Sequence, residues 1–347
     1  MDGTPKSLPA TALTSAGDLV QAGLADPAMA GDLVRVAETF RIRVTPAMQQ
    51  HGPGIARQFV PDPAEMLTRP EELADPIGDA AHSPVPGLTH RYPDRAILHI
   101  TQACDGYCRF CFRREVVGAA GPLPAGQLDA VLDYIAATPA LREIILTGGD
   151  PMTLSPRRLD AVLTRLDAIP HLEVIRIHSR VPVVAPARIA ALAPLLRRRA
   201  AVFVVIHTNH PDELTPEARD AIRTLADGGT ALLSQSVLLR GVNDDAAVLA
   251  ALFRGLTALR VTPYYLHHCD LARGTSHFRT TIAEGLAIMA ALRGHLSGVA
   301  IPTYVLDLPG GYGKVPLDSG SVTPNGPGQW RIRDWQGRIH DYADIAR

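Results

Sequence analysis

The stretch AILHITQACDGYCRFCFRR, residues 96–114, joins a short apolar run to three closely spaced cysteines. Residues 96–101 are rich in branched side chains, which is typical of a strand buried on both faces of a parallel sheet. Cys104, Cys108 and Cys111 follow this run directly. Because parallel α/β folds carry their chemistry at the carboxyl ends of strands, the stretch predicts a parallel sheet with a functional loop after its first strand.

Further apolar runs of similar length and composition follow, at 143–147, 174–178, 201–207, 231–237 and 261–267. Helical patterns lie between and after them, near 125–137, 156–168, 186–198, 215–227, 245–258 and 280–296. Alternation of strands and helices implies βαβ units and a parallel sheet. Six such units predict an α/β fold of the partial (β/α)6 type, which is an open TIM barrel rather than a closed eight-stranded one.

The chain before the predicted barrel has a different composition. Residues 1–90 are rich in proline, alanine and aspartate, with helical patterns at 16–25 and 30–41. We therefore predict three regions: a mostly helical N-terminal extension over 1–90, the barrel over 91–305, and a C-terminal loop and tail over 306–347.

The bulk composition argues against several classes of partner. The 347 residues are 46% hydrophobic and 20% charged, with a formal net charge of −1, so the basic excess of a nucleic-acid-binding protein is absent. No apolar run reaches the roughly 18 residues of a membrane span, and the N-terminus lacks a signal-peptide pattern. Three of the four cysteines lie within eight positions, unlike a secreted disulfide framework. We expect a cytoplasmic protein with no nucleic-acid or membrane partner.

The three clustered cysteines are the strongest chemical signal in the chain. Three thiolates in one loop can ligate three irons of a cubane 4Fe–4S cluster, and the lack of a fourth ligand leaves one iron open for chemistry. The alternatives are a zinc site completed by His90 or His99, or simply buried thiols; structural zinc sites prefer paired cysteine knuckles. Cys269 is distant in sequence and is expected to be a small buried residue.

The loop CDGYCRFCFRR (104–114) resembles the radical S-adenosylmethionine (SAM) motif, and specifically that of the lysine 2,3-aminomutase family. The resemblance runs from about residue 61 to 317 and includes LTGGDP (146–151) and DLPGGYGK (307–314). It implies the partial barrel of radical SAM enzymes, with the cluster on Cys104, Cys108 and Cys111. The open iron would bind SAM, and one electron, from a donor such as flavodoxin or ferredoxin, would split its sulfonium.

The resemblance also implies contacts to SAM and a third cofactor, pyridoxal 5′-phosphate (PLP). The turn Gly148-Gly149-Asp150 would contact the SAM amino group, and His178 and Gln235 would take part in cofactor binding. PLP would be held by a lysine as a Schiff base. The chain contains only two lysines, Lys6 and Lys314, so Lys314 is the candidate outside the N-terminal tail. The alternative for Lys314 is a solvated surface lysine in a turn.

The remaining site residues also follow from the resemblance. Arg91, Tyr92 and Arg95 would hold the PLP phosphate, for which guanidinium and phenol donors are suited. Arg113 would bind the α-carboxylate of a small-molecule amino-acid substrate, and Asp270 and Asp307 would bind the ε-ammonium of lysine. The alternative for either aspartate is a cap or turn at a strand end.

The resemblance predicts an isomerase that interconverts L-lysine and L-β-lysine by a 1,2-amino shift. Alternatives are a related aminomutase for another amino acid, such as arginine, a PLP-independent radical SAM enzyme, or a non-catalytic iron–sulfur protein. The chain departs from the long family members because no cysteine follows Cys269 and Asp245 replaces a cysteine of their zinc site, so a homo-oligomer is possible but unsupported by that site. In length it is similar to the shorter branch associated with β-lysylation of elongation factor P.

Overall fold

The computed structural model describes residues 11–49, 52–317, 320, 322–334 and 336–345. Lys6, one of the two lysines, lies outside the described residues. Among the residues within these ranges, no helix combines the length and apolar character that crossing a membrane requires.

A sheet of nine strands forms the centre of the protein: β1 Leu88–Tyr92, β2 Arg95–Thr101, β3 Glu143–Gly148, β4 Val174–Ser179, β5 Ala201–His207, β6 Ala231–Leu238, β7 Thr262–His268, β8 Thr303–Leu308 and β9 Gly313–Pro316. Their spatial order is the same as their order in the chain. Strands β2 to β8 are parallel, whereas β1 and β9 are antiparallel edge strands.

The α-helices are α1 Ala16–Gln21, α2 Ala30–Thr39, α3 Pro53–Phe59, α4 Ala125–Ala136, α5 Pro156–Asp167, α6 Val181–Val184, α7 Ile189–Leu192, α8 Pro216–Asp227, α9 Ala246–Ala258 and α10 Ile282–Leu292. Two of the longer ones start with a capping residue followed by proline, which has no N–H to leave unpaired. Ser155 accepts a hydrogen bond from the Arg158 N–H at the start of α5. Thr215 caps α8 in the same way.

Strand–helix units run from β2 through α10, which confirms the predicted partial (β/α)6 barrel, and β8 adds a seventh parallel strand that the sequence reading did not count. The predicted single helix over 186–198 is wrong. The segment consists of a 3-10 turn at Pro186–Arg188, helix α7, and a second 3-10 turn at Ala193–Leu196. Pro186 begins the first of these turns, where proline is tolerated, whereas Pro194 interrupts the helix because proline has no N–H and clashes with the preceding turn.

The two faces of the parallel strands differ in burial. In β4, Ile175 and Ile177 are fully buried, whereas Arg176 and His178 are half-buried. Since side chains alternate across a strand, the apolar set packs beneath the helices and the polar set lines the interior of the barrel. The site residues of the strands belong to this interior set.

The sheet curves until its two edges meet. The backbone N–H of Lys314 in β9 donates to the hydroxyl of Tyr92 in β1 at 2.9 Å. Nearby, Gly78 has a φ of +67° and packs against the backbone of Gly310 and Gly311, where a side chain would not fit. The N-terminal extension therefore closes the gap between the sheet edges by contacting the loop before Lys314.

The C-terminal tail forms a small antiparallel sheet of strands β10 Val322–Pro324, β11 Gln329–Arg333 and β12 Ile339–Ala343. Asp344 accepts a hydrogen bond from the Ile282 N–H at 2.6 Å and so ties the tail to α10. For residues 306–347 the sequence predicts only a loop and tail, so these three strands were not predicted. The predicted region boundaries after residues 90 and 305 fall inside β1 and β8.

Candidate active site

The loop after β2 carries three free cysteines, Cys104, Cys108 and Cys111, each partly exposed. Burial raises the pKa of all three thiols, and the neighbouring cysteines raise it further for Cys104 and Cys111, that of Cys111 to about 11. Cys104 and Cys111 each lie near another cysteine of the loop. Three free thiols in one loop fit a cluster in which each sulfur ligates a separate iron.

The Gly148-Gly149-Asp150 turn at the end of β3 packs directly against the cysteine loop. The Gly149 N–H donates to the Thr101 carbonyl at 2.5 Å, and the Asp150 N–H donates to the Ala103 carbonyl at 2.8 Å. A methyl group on Gly149 would overlap the Ala103 carbonyl, and Gly148 has a φ of +112°. The two glycines are therefore needed for close approach of two backbones.

Asp150 is buried and has both carboxylate oxygens engaged within the protein. Oδ1 accepts from the Ser179 hydroxyl at 2.7 Å and from the Met152 N–H, while Oδ2 accepts from the Arg180 N–H at 2.6 Å. Burial raises the pKa of Asp150 to about 6 in spite of these bonds. In this arrangement Asp150 joins the ends of β3 and β4, and its predicted contact to SAM remains a prediction.

Three histidine side chains line the interior of the barrel near the carboxyl ends of its strands. His178, His207 and His267 each have an Nε2 atom that is buried without a hydrogen-bond partner among the described residues. Burial lowers the pKa of all three, so they are neutral. Buried polar atoms normally have partners, so the unpaired atoms fit a polar ligand inside the barrel. Gln235 is half-buried on β6, where it pairs in register with His207.

Lys314 lies at this interior, opposite Asp307 in the β8–β9 ladder. Its Nζ is 2.6 Å from both Asp307 oxygens, and His267 Nδ1 is 3.1 Å from Oδ2. Although burial would raise it, the Lys314 ammonium holds the pKa of Asp307 well below its usual range. Burial and the charge of Asp307 raise the pKa of Asp270 to about 8. The structure thus brings Lys314 against Asp307, and the charges of both groups act on the pKa of Asp270.

Arg113 is paired with Asp79, a residue that the sequence reading missed. Its Nε is 2.9 Å and its Nη2 2.8 Å from Asp79 Oδ2. Arg91 also faces Asp79, at 3.6 Å, and donates to the Ile77 carbonyl at 2.5 Å. Both Arg113 nitrogens contact the same carboxylate oxygen, so the guanidinium already has an anionic partner at this position.

A cavity of about 570 Å³ opens beside Arg113 and is also lined by Asp79, His99 and Gly148. Its size lies within the usual range for small-molecule sites, about 300–1,000 Å³. The cavity adjoins the cysteine loop through Gln102 and Phe112. A small ligand bound here would therefore contact both the predicted carboxylate clamp and the segments that hold the cysteines.

Arg95 lies at the opposite, amino end of the barrel and contacts different groups from Arg91. Its guanidinium lies 3.8 Å from the Tyr92 ring centroid. Arg176 and Arg95 both lower the pKa of Tyr265, which burial and its hydroxyl contact with Tyr264 nevertheless raise. Arg176 Nε is also 2.6 Å from Glu143 Oε1, and Arg95 Nη1 is 2.8 Å from Asp94 Oδ1, so each guanidinium already has a carboxylate partner. Guanidinium and phenol donors of this kind suit a phosphate. The sequence indicated Arg95 and Tyr92 but not Arg176, which lies at an interior position of β4.

The zinc alternative receives no support from the histidines that it would use. His90 Nδ1 is 2.8 Å from the Tyr134 hydroxyl, and His99 Nε2 is 2.9 Å from that of Thr89. Within the described ranges no three cysteine, histidine or acidic side chains converge on a position for a single metal ion. Cys269 is buried, as predicted.

A curved parallel barrel with a three-cysteine loop after its first parallel strand defines the radical SAM class of enzyme. Consistent with this, the profile of a family described as the Radical SAM superfamily matches residues 98–253. A second profile, described as Lysine-2,3-aminomutase, matches residues 289–346.

Similar proteins with described activities identify the family. The L-lysine 2,3-aminomutase of Fusobacterium nucleatum is 42% identical over 320 residues, covering 90% of this chain and 75% of the relative. That of Clostridium subterminale is 42% identical over 292 residues, covering 84% and 70%. The glutamate 2,3-aminomutase of Clostridioides difficile is 37% identical over 293 residues, covering 82% and 69%. The chain belongs to the lysine 2,3-aminomutase family of radical SAM enzymes.

Family membership makes the protein an isomerase of the aminomutase type that acts on an amino acid. It implies the cofactor set predicted from the sequence, which is a 4Fe–4S cluster, SAM and PLP. Family membership does not assign the residues that bind each cofactor or the amino acid on which the enzyme acts.

Proposed function

We propose that the protein is a PLP-dependent lysine 2,3-aminomutase that interconverts L-lysine and L-β-lysine. The observation that carries the choice of substrate is the contact between Lys314 and Asp307, with Nζ 2.6 Å from both carboxylate oxygens. A primary alkylammonium, the same group as the end of a lysine substrate, already fits this carboxylate. Asp270 adds a second carboxyl group close enough for the charge of Asp307 to raise its pKa.

The second end of the substrate is assigned to Arg113. Its guanidinium contacts Asp79 Oδ2 through two nitrogens in the structure, and an amino-acid carboxylate would take the place of this anionic partner. Binding at both ends would hold the substrate in one orientation, which replaces a bimolecular encounter by an oriented one. It would also select for the length of the side chain.

The cofactors are assigned to three groups of residues. Cys104, Cys108 and Cys111 would ligate the cluster, with the Gly148-Gly149-Asp150 turn, His178 and Gln235 beside SAM. Lys314 would bind PLP, and Tyr92 and Arg95, with Arg91 nearer Arg113, would serve its phosphate. PLP supplies a carbonyl that condenses with amines and a π-system that delocalises an unpaired electron.

The contact between Lys314 and Asp307 also affects how a substrate would bind. Its ammonium contacts both Asp307 oxygens in the structure, so binding of Lys314 to the cofactor would remove that ammonium and leave Asp307 with the His267 contact at Oδ2. Asp307 is 6% exposed, and a buried carboxylate without a cation is costly. The ammonium of a lysine substrate would restore the lost charge pairing, which a glutamate side chain could not do.

The experiment is turnover by the anaerobically reconstituted enzyme with separate L-lysine, L-arginine and L-glutamate. We expect β-lysine from lysine, and a loss of lysine turnover in Asp307→Asn with SAM binding retained. Asp334→Asn is a matched control, because Asp334 is also buried and ion-paired but lies in the C-terminal sheet. Lysine turnover by Asp307→Asn at the wild-type rate, or preference for another amino acid, would contradict the proposal.

The cellular setting follows from the same proposal. A one-electron donor of the flavodoxin or ferredoxin type would reduce the cluster, in a cytoplasmic compartment where thiols stay reduced. The choice of donor is tested by reducing the iron-loaded enzyme with each donor and monitoring the reduced cluster by EPR spectroscopy.

A further inference from the structure

A buried arginine that has no place in the proposed binding of substrate or PLP contacts one of the three cysteines. Arg180 directly follows β4 and is 6% exposed. Its Nη1 donates a hydrogen bond to the Cys108 sulfur at 2.7 Å. Because an arginine side chain is always charged in proteins, this bond brings both a donor and a full positive charge to the sulfur.

Other parts of the chain fix the Arg180 guanidinium in this orientation. Its Nη2 donates to Gln58 Oε1 at 2.6 Å and to Glu213 Oε2 at 2.7 Å. Its Cζ atom lies 4.5 Å from the centroid of the Phe59 ring. The backbone N–H of Arg180 donates to Asp150 at 2.6 Å. The guanidinium is therefore held from the N-terminal extension, from the loop after β5 and from the end of β3.

The groups that hold Arg180 are themselves fully buried and bonded to one another. Gln58 Nε2 donates to Glu213 Oε1 at 3.0 Å, and Asn209 Nδ2 donates to Gln58 Oε1 at 2.9 Å. Gln58, Asn209 and Glu213 have no measurable exposure. A buried arginine–glutamate pair often adds no stability compared with an apolar pair of similar volume. The contact with Cys108 gives this costly network a role that packing alone does not.

Hydrogen bonds to the sulfurs of an iron–sulfur cluster are one of the factors that set its reduction potential. A donor withdraws electron density from the thiolate, and a nearby positive charge stabilises the extra electron of the reduced cluster. Both effects raise the potential. Glu213 partly neutralises the guanidinium and so limits the size of the effect.

We propose that Arg180 is a positioning residue that orients Cys108 as a ligand and raises the reduction potential of the cluster, with Glu213 limiting the rise. This inference rests on the proposed ligation of the cluster by the three cysteines. The ligand assignment has its own test: a full complement of iron in Cys108→Ala would contradict the ligation without bearing on Arg180.

The test is an EPR-monitored redox titration of the iron-loaded enzyme without SAM. At the midpoint potential of the wild type, Arg180→Gln is expected to lower the ratio of reduced to oxidised cluster tenfold, which corresponds to about 59 mV for one electron. Glu213→Gln is expected to raise this ratio, because it removes the negative charge that partly neutralises the Arg180 guanidinium. Opposite signs in two members of one network would not arise from a general loosening of the loop.

Arg109→Lys is the matched control for Arg180→Lys, because both substitutions keep the positive charge and change the hydrogen-bond geometry. Arg109 is also a buried arginine of the cysteine loop paired with a buried glutamate, Glu65, but its bonds go to that carboxylate and to backbone carbonyls rather than to sulfur. Its midpoint potential should be that of the wild type. If Arg180→Gln fails to retain iron, Arg180→Lys and Glu213→Gln decide. Unchanged potentials in iron-loaded Arg180 and Glu213 variants, or shifts of the same sign, would overturn the proposal.

Discussion

Asp270 makes lysine binding depend on pH in a way that can be calculated. Its pKa is raised to about 8 by burial and by the charge of Asp307, so the carboxylate form dominates only above that pH. At pH 9 about ten elevenths of the molecules carry the charge, and at pH 7 about one eleventh do. If only the ionised form pairs with the ε-ammonium, lysine affinity falls about tenfold from pH 9 to pH 7, or about 1.4 kcal/mol.

The assay compares the KM for L-lysine of wild type and Asp270→Asn at pH 7, 8 and 9. At pH 9 the variant should bind lysine more weakly by about 2–5 kcal/mol, the cost of removing one partner of a buried charge pair. Toward pH 7 the two KM values should converge about tenfold, because wild-type Asp270 is by then mostly protonated. Asp334→Asn controls for a general effect of losing a buried aspartate. Equal pH dependence in wild type and Asp270→Asn would refute the reasoning.

Other substitutions test separate parts of the site. Cys108→Ala should lose both the cluster and SAM cleavage, checked by iron analysis and cleavage assays, and normal SAM cleavage would contradict the ligand assignment. Lys314→Ala should abolish the PLP absorbance band of the reconstituted enzyme; a band like that of the wild type would leave Lys314 without its role. Gly149→Ala should lower the free energy of unfolding by about 1–3 kcal/mol, as overpacking does, and reduce iron uptake, whereas Gly31→Ala, where the added methyl meets open space, should not.

Six of the seven parallel strands could be predicted because their signal is local, whereas β8 was not counted as a strand. Each buried strand is a short run of branched residues, and β5 coincides with the predicted 201–207. The edge strands β1 and β9 lack such runs, and they are strands because of pairing with β2 and β8. Their sequences contain histidine, arginine, lysine and proline, so no alternation of apolar and polar residues in the sequence reveals them.

The site residues also divide into those that the sequence could predict and those that only the fold brings together. The cysteines, Lys314 and the two aspartates were found because they lie in motifs that resemble a known family. Asp79, beside Arg113, and Gln58, beside Arg180, were missed because only the fold brings them to their partners. Gln58 and Arg180 are 122 positions apart in the chain, and a single glutamine in a helix carries no signal of a contact at that distance.

The most direct test of the proposed reaction follows the hydrogen at Cβ of the substrate. With L-lysine deuterated at Cβ, the reconstituted enzyme should place deuterium in the 5′ position of recovered SAM, while β-lysine accumulates over many turnovers without net loss of SAM. SAM that is consumed in proportion to product, or recovered without deuterium, would contradict the account and indicate an irreversible radical SAM modification instead.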